Sequence, residues 1–352
     1  MKIAAVGRAF PHHHYDQDAL LGAFLHHWGG RHHNVDRLAK LYRSLQIEGR
    51  HLALPLDEYP KLTRWGQAND HWIDVAQDVG GRAVQQALRQ SKVDPETLGA
   101  FFSVTVTGVA TPSLEARLMN RLSLPTHLKR VPIFGLGCVA GAAGIARAAD
   151  YVRAFPTQSA LLLSVELCSL TLQREDLSIA NLIATGLFGD GAAAAVLMGA
   201  EHPDAAAHTG PTILDTRSHF YPNTERVMGW DVSESGFKVV LSAEVPNMVR
   251  DHLAGDITRF LDDHNLKISD IHKWICHPGG PRVLEALQSA LSLPEDALQP
   301  SWRHLNAIGN LSSTSVLMIL EDALLDRPEP GSYGLVLAMG PAFGSELVLI
   351  RW

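Results

Sequence analysis

Cysteine is scarce in this chain: there are three in 352 residues, at positions 138, 168 and 276. Such separation excludes a Cys-x-x-Cys metal or redox motif, and three thiols cannot build a disulfide framework. There is no block of lysine and arginine, and the formal net charge is −7, so a nucleic-acid partner is not expected. Any phosphate-bearing ligand must be held by a few local cations and backbone amides. No apolar run approaches the roughly 18 residues of a membrane span. The opening Met1–Gly7 reads as a short buried strand with a glycine stop, without the basic segment and long apolar core of a signal peptide. A cytoplasmic protein with no membrane span is expected. Charged residues make up only 19% of the chain against 46% hydrophobic, which suffices for a large core, either as two similar halves or as one layered fold.

Histidine, by contrast, is plentiful, with 18 residues, several crowded as His12-His13-His14, His26-His27 and His32-His33. Adjacent histidines on a helix or loop point in different directions, and no cysteine or ordered carboxylate set completes a coordination sphere. No metal site is expected.

Apolar strand-like runs alternate with helix-length segments throughout, which is α/β patterning. The clearest strands of the first half are 100–107, 131–135, 160–165 and 192–198. After the polar stretch 201–211 the second half offers 212–219, 237–241, 274–276, 334–339 and 346–350, and the boundary between halves is placed near residue 205. Helices are expected over 73–92, 141–154, 245–264, 281–291 and 313–325. Each half contains a glycine-rich turn opening a small-residue helix, at Gly137-Cys138 and at Gly309-Asn310, compatible with a duplicated architecture.

These two turns, with a third after the strand 274–276, carry the chemistry. In Val131-Pro132-Ile133-Phe134-Gly135-Leu136-Gly137-Cys138 a strand taken as buried runs into a helix, with Cys138 at the turn. Flanking glycines permit a tight turn, and a helix N-terminus favours a thiolate and offers unpaired amides to an oxyanion. Cys168 and Cys276 end apolar strands and read as pocket-wall or core thiols. In Cys276-His277-Pro278-Gly279-Gly280 a histidine at the end of a strand can act as acid, base or Nε2–H donor. In Gly309-Asn310-Leu311-Ser312-Ser313 an asparagine supplies amide donors that cannot ionise, so it can stabilise an enolate oxygen without quenching a carbanion. A thiolate to hold an acyl group and two neutral donors to stabilise decarboxylation of a malonyl thioester are the minimum for decarboxylative carbon–carbon bond formation.

With Cys138, His277 and Asn310 in this order, the chain resembles the chalcone synthase superfamily of type III polyketide synthases. Further marks are Leu187-Phe188-Gly189-Asp190-Gly191-Ala192, His277-Pro278-Gly279-Gly280 and Gly340-Pro341-Ala342-Phe343-Gly344. The interval from His277 to Asn310 also matches the family and selects Asn310 over Asn306. The resemblance implies a thiolase-like five-layer αβαβα fold with two duplicated halves, residues 1–205 carrying the nucleophile and 206–352 the histidine and asparagine. It implies acyl-CoA and malonyl-CoA as substrates, no permanently bound cofactor, no acyl carrier protein, and a homodimer. Cys138 would carry the acyl chain, His277 and Asn310 would orient thioesters and stabilise the enolate, and Phe188 would help to position malonyl-CoA.

Against the plant members, Val239 replaces a gatekeeper phenylalanine, Thr111 replaces the methionine that crosses the dimer interface, Trp230 replaces a pocket glycine, and Ala342 replaces the last glycine of the near-terminal loop. Leu163–Gln173 resembles bacterial members that make alkylpyrones and alkylresorcinols from fatty acyl-CoA. Cys168 and Thr171 in that stretch, with Ser312 beside Asn310, complete the candidate substrate contacts. Arg50, in Ile47-Glu48-Gly49-Arg50, is the candidate for the CoA phosphates. The expected activity is malonyl extension of a fatty acyl starter, followed by cyclisation to an alkylpyrone or alkylresorcinol. Alternatives are an aromatic-product synthase, a ketoacyl-carrier-protein synthase of the initiating type, whose histidine sits in a different context, and a non-enzymatic acyl-CoA-binding subunit.

Overall fold

The computed structural model describes residues 1–28 and 35–352; His32 and His33 lie outside the described residues. The first half contains β1 (Lys2–Ala9), β2 (His13–Asp16), α1 (Gln17–Trp28), α2 (Val35–Ser44), β3 (Gly49–Leu52), α3 (Trp65–Ser91), β4 (Leu98–Thr105), α4 (Leu114–Leu122), β5 (Lys129–Phe134), α5 (Ala140–Ala154), β6 (Ser159–Leu167), α6 (Ile179–Leu187) and β7 (Asp190–Met198). The second contains β8 (Thr212–Phe220), β9 (Met228–Ser233), β10 (Gly236–Leu241), α7 (Val245–Met248), α8 (Ala254–Asp262), β11 (Ile271–Cys276), α9 (Pro281–Ala290), α10 (Gln299–Ile308), α11 (Ser313–Leu325), β12 (Tyr333–Gly340) and β13 (Gly344–Arg351).

Nine strands form one sheet in the order β11-β12-β13-β8-β1-β7-β6-β4-β5. The duplication is visible in its pairing. β1 pairs antiparallel with β7, β7 antiparallel with β6, and β6 parallel with β4. In the second half β8 pairs antiparallel with β13, β13 antiparallel with β12, and β12 parallel with β11. The halves meet where Lys2 of β1 pairs with Thr212 of β8.

Side-chain alternation along these strands builds the layers. Leu162 of β6 and Val336 of β12 face the central helices α5 and α11, while Leu161 and Leu163 face α3, and Leu335 and Leu337 face α8 to α10. The result is five layers, helix–sheet–helix–sheet–helix, as the resemblance implied. Strands β6 and β7 are buried at every residue, as expected of strands covered on both faces. Each fully buried leucine here contributes roughly 2–3 kcal/mol. The central helix α5 is rich in buried alanine, a strong helix former whose small size lets α11 approach.

Two expectations are corrected. The strand leading to Cys138 is not buried: β5 pairs only with β4, forms the edge of the sheet and leaves Lys129, Arg130, Pro132 and Phe134 exposed. The single helix expected over 245–264 is divided into α7 and α8 by a π-turn at Val249–Leu253, with both Val249 and Leu253 buried. Strand β9 was hidden because its residues are half-buried or exposed, so it shows no apolar alternation.

Candidate active site

Cys138 lies in a 3₁₀ turn, Gly137–Val139, that runs directly into α5. Gly137 has φ +57, and a Cβ there would meet Pro341 at 2.6 Å, so only glycine lets the turn lie against the near-terminal loop. The Cys138 Sγ stands 3.5 Å from Ser312 Oγ. Burial pushes the thiol up to about 12, the Ser312 hydrogen bond opposes this, and the Glu166 charge adds to it. The resting group is a thiol, and a base must take its proton before it attacks.

His277 follows the last residue of β11, and its amide donates to Leu337 O at 2.8 Å. Both ring nitrogens are buried without a hydrogen-bond partner. Burial lowers the imidazole to about 3, so it is neutral, with one N–H to donate and one lone pair to accept. Two orphaned buried nitrogens are costly unless a ligand meets them.

Asn310 opens the segment leading to α11. Gly309 has φ +77, and a Cβ on it would stand 2.7 Å from Leu187 O, so the chain can press against the end of α6. There Asn310 N donates to Leu187 O at 2.9 Å and Gly189 N to Asn310 O at 3.0 Å. The asparagine Oδ1 accepts from Ser312 N at 2.7 Å, while Nδ2 makes only a long contact of 3.4 Å to Gly279 O. The amide is therefore oriented with its donor end available. Ser312 has φ 50 and ψ −129, a conformation that costs a non-glycine residue about 1–3 kcal/mol. Its amide bond to Asn310 and its hydroxyl contact to Cys138 are held at that expense. One line of contacts thus runs from Cys138 through Ser312 and Asn310 to Gly279, two residues beyond His277.

Beneath this line lies a polar cluster that sequence reasoning did not assign. Glu166 is fully buried, accepting from Thr107 Oγ1 at 2.9 Å, Val106 N at 3.1 Å and the Ser313 hydroxyl. Burial raises its carboxyl to about 7, against those hydrogen bonds. His304 Nε2 meets Ser315 Oγ at 2.9 Å, and Ser315 Oγ accepts from Leu311 N at 2.8 Å, fastening the Asn310 turn. A lone carboxylate in the strand Leu161–Leu167, where Ser164 is the one other polar residue, was the available signal for Glu166; none existed for His304.

A cavity with about 760 Å³ of empty space adjoins Phe188. Cys168, Thr171, Trp230 and Val239 all line it, and Val239 is the cross-strand partner of Trp230 on β10 and β9. These candidates are brought together with Phe188, which itself bridges to Asn310. Two others stand differently. Arg50 is buried: Nε donates to Gln17 Oε1 at 3.1 Å, and Nη1 donates to Thr185 O at 2.8 Å and Phe188 O at 2.7 Å. Its guanidinium fastens the end of α6 to β3, and the residue lines the same cavity from beneath and is not exposed at the surface. Thr111 is exposed in the loop between β4 and α4 and lies outside this cavity. Its exposure is what a residue reaching a second copy across an interface would show, and its contact with a substrate belongs to that assembly. Cys276 is packed in the core. Among the described residues no three His, Cys, Asp or Glu side chains are grouped to hold a metal ion, and no helix is long and apolar enough to cross a membrane.

Comparison with known proteins follows the same lines. The family models for the N-terminal and C-terminal domains of chalcone and stilbene synthases match residues 1–202 and 213–352. The chain is 48% identical over 355 residues to a 1,3,6,8-tetrahydroxynaphthalene synthase of Streptomyces peucetius, covering 99% of this chain and 93% of that protein. It is 30% identical over 348 residues to a phloroglucinol synthase of Pseudomonas fluorescens, covering 97% of each. The crystal structure of the 1,3,6,8-tetrahydroxynaphthalene synthase of Streptomyces coelicolor superposes with a TM-score of 0.94 at 29% identity, covering 100% of this chain and 99% of that one.

Proposed function

Because the chain belongs to the chalcone and stilbene synthase family, as a bacterial type III polyketide synthase that condenses malonyl-CoA, we propose that Cys138, His277 and Asn310 carry the reaction, and that the starter is a fatty acyl-CoA. The observation that carries the site is the contact line from Cys138 to Gly279 beside a neutral His277 with two unpartnered nitrogens. His277 accepts the Cys138 proton as the thiol attacks the starter thioester, and the amides at the start of α5 favour the negative charge. The bond from the acyl carbon to the CoA sulfur breaks, the departing CoA thiolate takes the proton back from His277, and the acyl group rests on Cys138. With malonyl-CoA bound, loss of CO2 leaves an enolate whose oxygen is stabilised by the Asn310 amide and a His277 N–H. The enolate carbon attacks the Cys138 thioester and the Cys138 thiolate leaves, so the extended chain is a CoA thioester; attack by that thiolate returns the chain to Cys138 with release of CoA before the next extension. Phe188 shapes the approach, and Ser312 holds Asn310 in register. CoA thioesters are the free substrates and no resident cofactor takes part. The place of action is the cytoplasm, where CoA thioesters are made.

The alkyl starter is supported by the cavity wall, where Val239 leaves room that a phenylalanine would fill and Leu20, Phe24, Leu52, Leu56 and Leu172 provide apolar surface. Each methylene buried there gains up to about fourfold in kcat/KM. With a ladder of acyl-CoA starters, kcat/KM should rise with length until the cavity is full, and Val239→Phe should shorten the preferred starter through overpacking. The second reading, malonyl-CoA as both starter and extender with a polyhydroxylated aromatic product, is favoured by the name of the 48% identical relative. It displaces the first if malonyl-CoA is the preferred starter and Val239→Phe leaves that preference unchanged.

The assembly is proposed as a homodimer. The outer edge of β5 has no partner strand, and Phe134 and Leu136 beside it are 50% and 37% exposed, which is what a second copy would cover. Phe134→Asp should halve the mass measured by light scattering. A wild-type chain that is already monomeric removes the dimer.

A further inference from the structure

The cavity beside Phe188 and an open cleft of about 1000 Å³ share one wall, made by Tyr59, Ser169 and Leu172. The polar part of that wall is a hydrogen-bonded chain. The Tyr59 hydroxyl lies 2.6 Å from Ser169 Oγ, and the Ser169 hydroxyl donates to the carboxylate of Asp190, which is fully buried. Asp190 also accepts from Ser169 N at 2.8 Å and Ala53 N at 2.6 Å. An ionised carboxylate only accepts, so the direction of the chain is fixed: Ser169 donates to Asp190, and Tyr59 donates to Ser169. Leu54 N donates to the Tyr59 oxygen at 3.3 Å. Ser169 Oγ also accepts from Ala53 N at 3.4 Å. Every donor of the chain and both lone pairs of Ser169 are thereby used, and what the chain still offers the cavity is the second lone pair of the Tyr59 oxygen.

A malonyl-extended chain is a poly-β-ketone. A methylene between two of its carbonyls gives up a proton that moves to one carbonyl oxygen, forming an enol without any co-reactant or bond to the protein. An enol O–H donates where a ketone cannot. When the enol carbon attacks the thioester carbonyl, the carbon–sulfur bond breaks, the thiolate leaves with the enol proton, and a carbon ring closes, whereas attack by the enol oxygen on the same carbonyl expels the same thiol and closes a lactone. We propose that the Tyr59 oxygen, oriented by Ser169 and Asp190, forms a hydroxyl station that accepts from an enol O–H of the extended chain and directs it to carbon ring closure. The station selects among products after extension and takes no part in loading or decarboxylation. This inference rests on malonyl extension and is independent of the starter, which the acyl ladder judges separately.

The test is product analysis by mass spectrometry and chromatography on the full-length enzyme, alongside starter loading and CO2 release. Loss of one such hydrogen bond should lower the ratio of carbon-closed to lactone products about five- to tenfold in Tyr59→Phe. Loading and CO2 release should stay within about twofold of wild type. Ser169→Ala should shift the ratio in the same direction, and it serves alone if Tyr59→Phe does not fold. Ser169→Thr, which keeps the hydroxyl, should retain the wild-type ratio. The proposal is overturned if the ratio is unchanged in Tyr59→Phe and Ser169→Ala. It is equally overturned if the ratio falls only together with loading and CO2 release, or if wild type makes lactones alone.

Discussion

Cys138→Ala should abolish the acyl-enzyme and reduce product formation by more than about a thousandfold, the scale on which loss of a covalent nucleophile acts. Neither remaining thiol can substitute. Cys276 is packed in the core with no exposed surface. Cys168 lines the cavity, but it is buried at the end of β6, and although burial and the Glu166 charge raise both thiols, Asp190 raises that of Cys168 further. Cys138 has what Cys168 lacks: a place at the start of α5, a hydroxyl contact from Ser312, and part of its surface open. Alanine occupies the same turn without strain, so the variant should fold, and unchanged thermal melting would separate lost chemistry from lost structure.

Asn310→Ala should slow malonyl decarboxylation about a hundred- to a thousandfold, the usual cost of one oxyanion donor, while starter acylation of Cys138 continues. The separation arises because the asparagine donors matter most once enolate charge develops. The same substitution removes the acceptor of Ser312 N, so a small loss of stability accompanies it, on the order of 1 kcal/mol. Comparing CO2 release with the rate of acyl-adduct formation checks the split. Undiminished CO2 release would remove Asn310 from the mechanism.

The α/β alternation was legible because its signals are local and strong: apolar strands such as Leu161–Leu163 and Ala192–Met198, and the alanine-rich helix after Cys138, while the five layers were legible through resemblance. The pocket was legible only through resemblance, since Cys168, Thr171, Phe188, Trp230 and Val239 come from four separate segments that no spacing rule connects. Edge position was not legible. β5 contains Val131, Ile133 and Phe134 and reads as buried, yet the sheet ends there, because nothing in six residues reports how many neighbours a strand has. Arg50 misled for a related reason: a lone arginine after Glu48-Gly49 looks solvated, and only the tertiary fold brings the Thr185 and Phe188 carbonyls to it. The Tyr59–Ser169–Asp190 chain joins residues up to 131 positions apart (190 − 59), which places it beyond any sequence pattern.

The central claim is that a growing polyketide is carried on Cys138. It is tested most directly by incubating wild-type enzyme with an acyl-CoA starter, adding malonyl-CoA, quenching, and mapping the covalent adduct by peptide mass spectrometry. The expected result is a starter adduct on the peptide containing Cys138, heavier by whole ketide units after malonyl-CoA is added, and absent from Cys138→Ala. An adduct on Cys168 or Cys276, or an adduct on Cys138 that never gains a ketide unit while CO2 is not released, would contradict it.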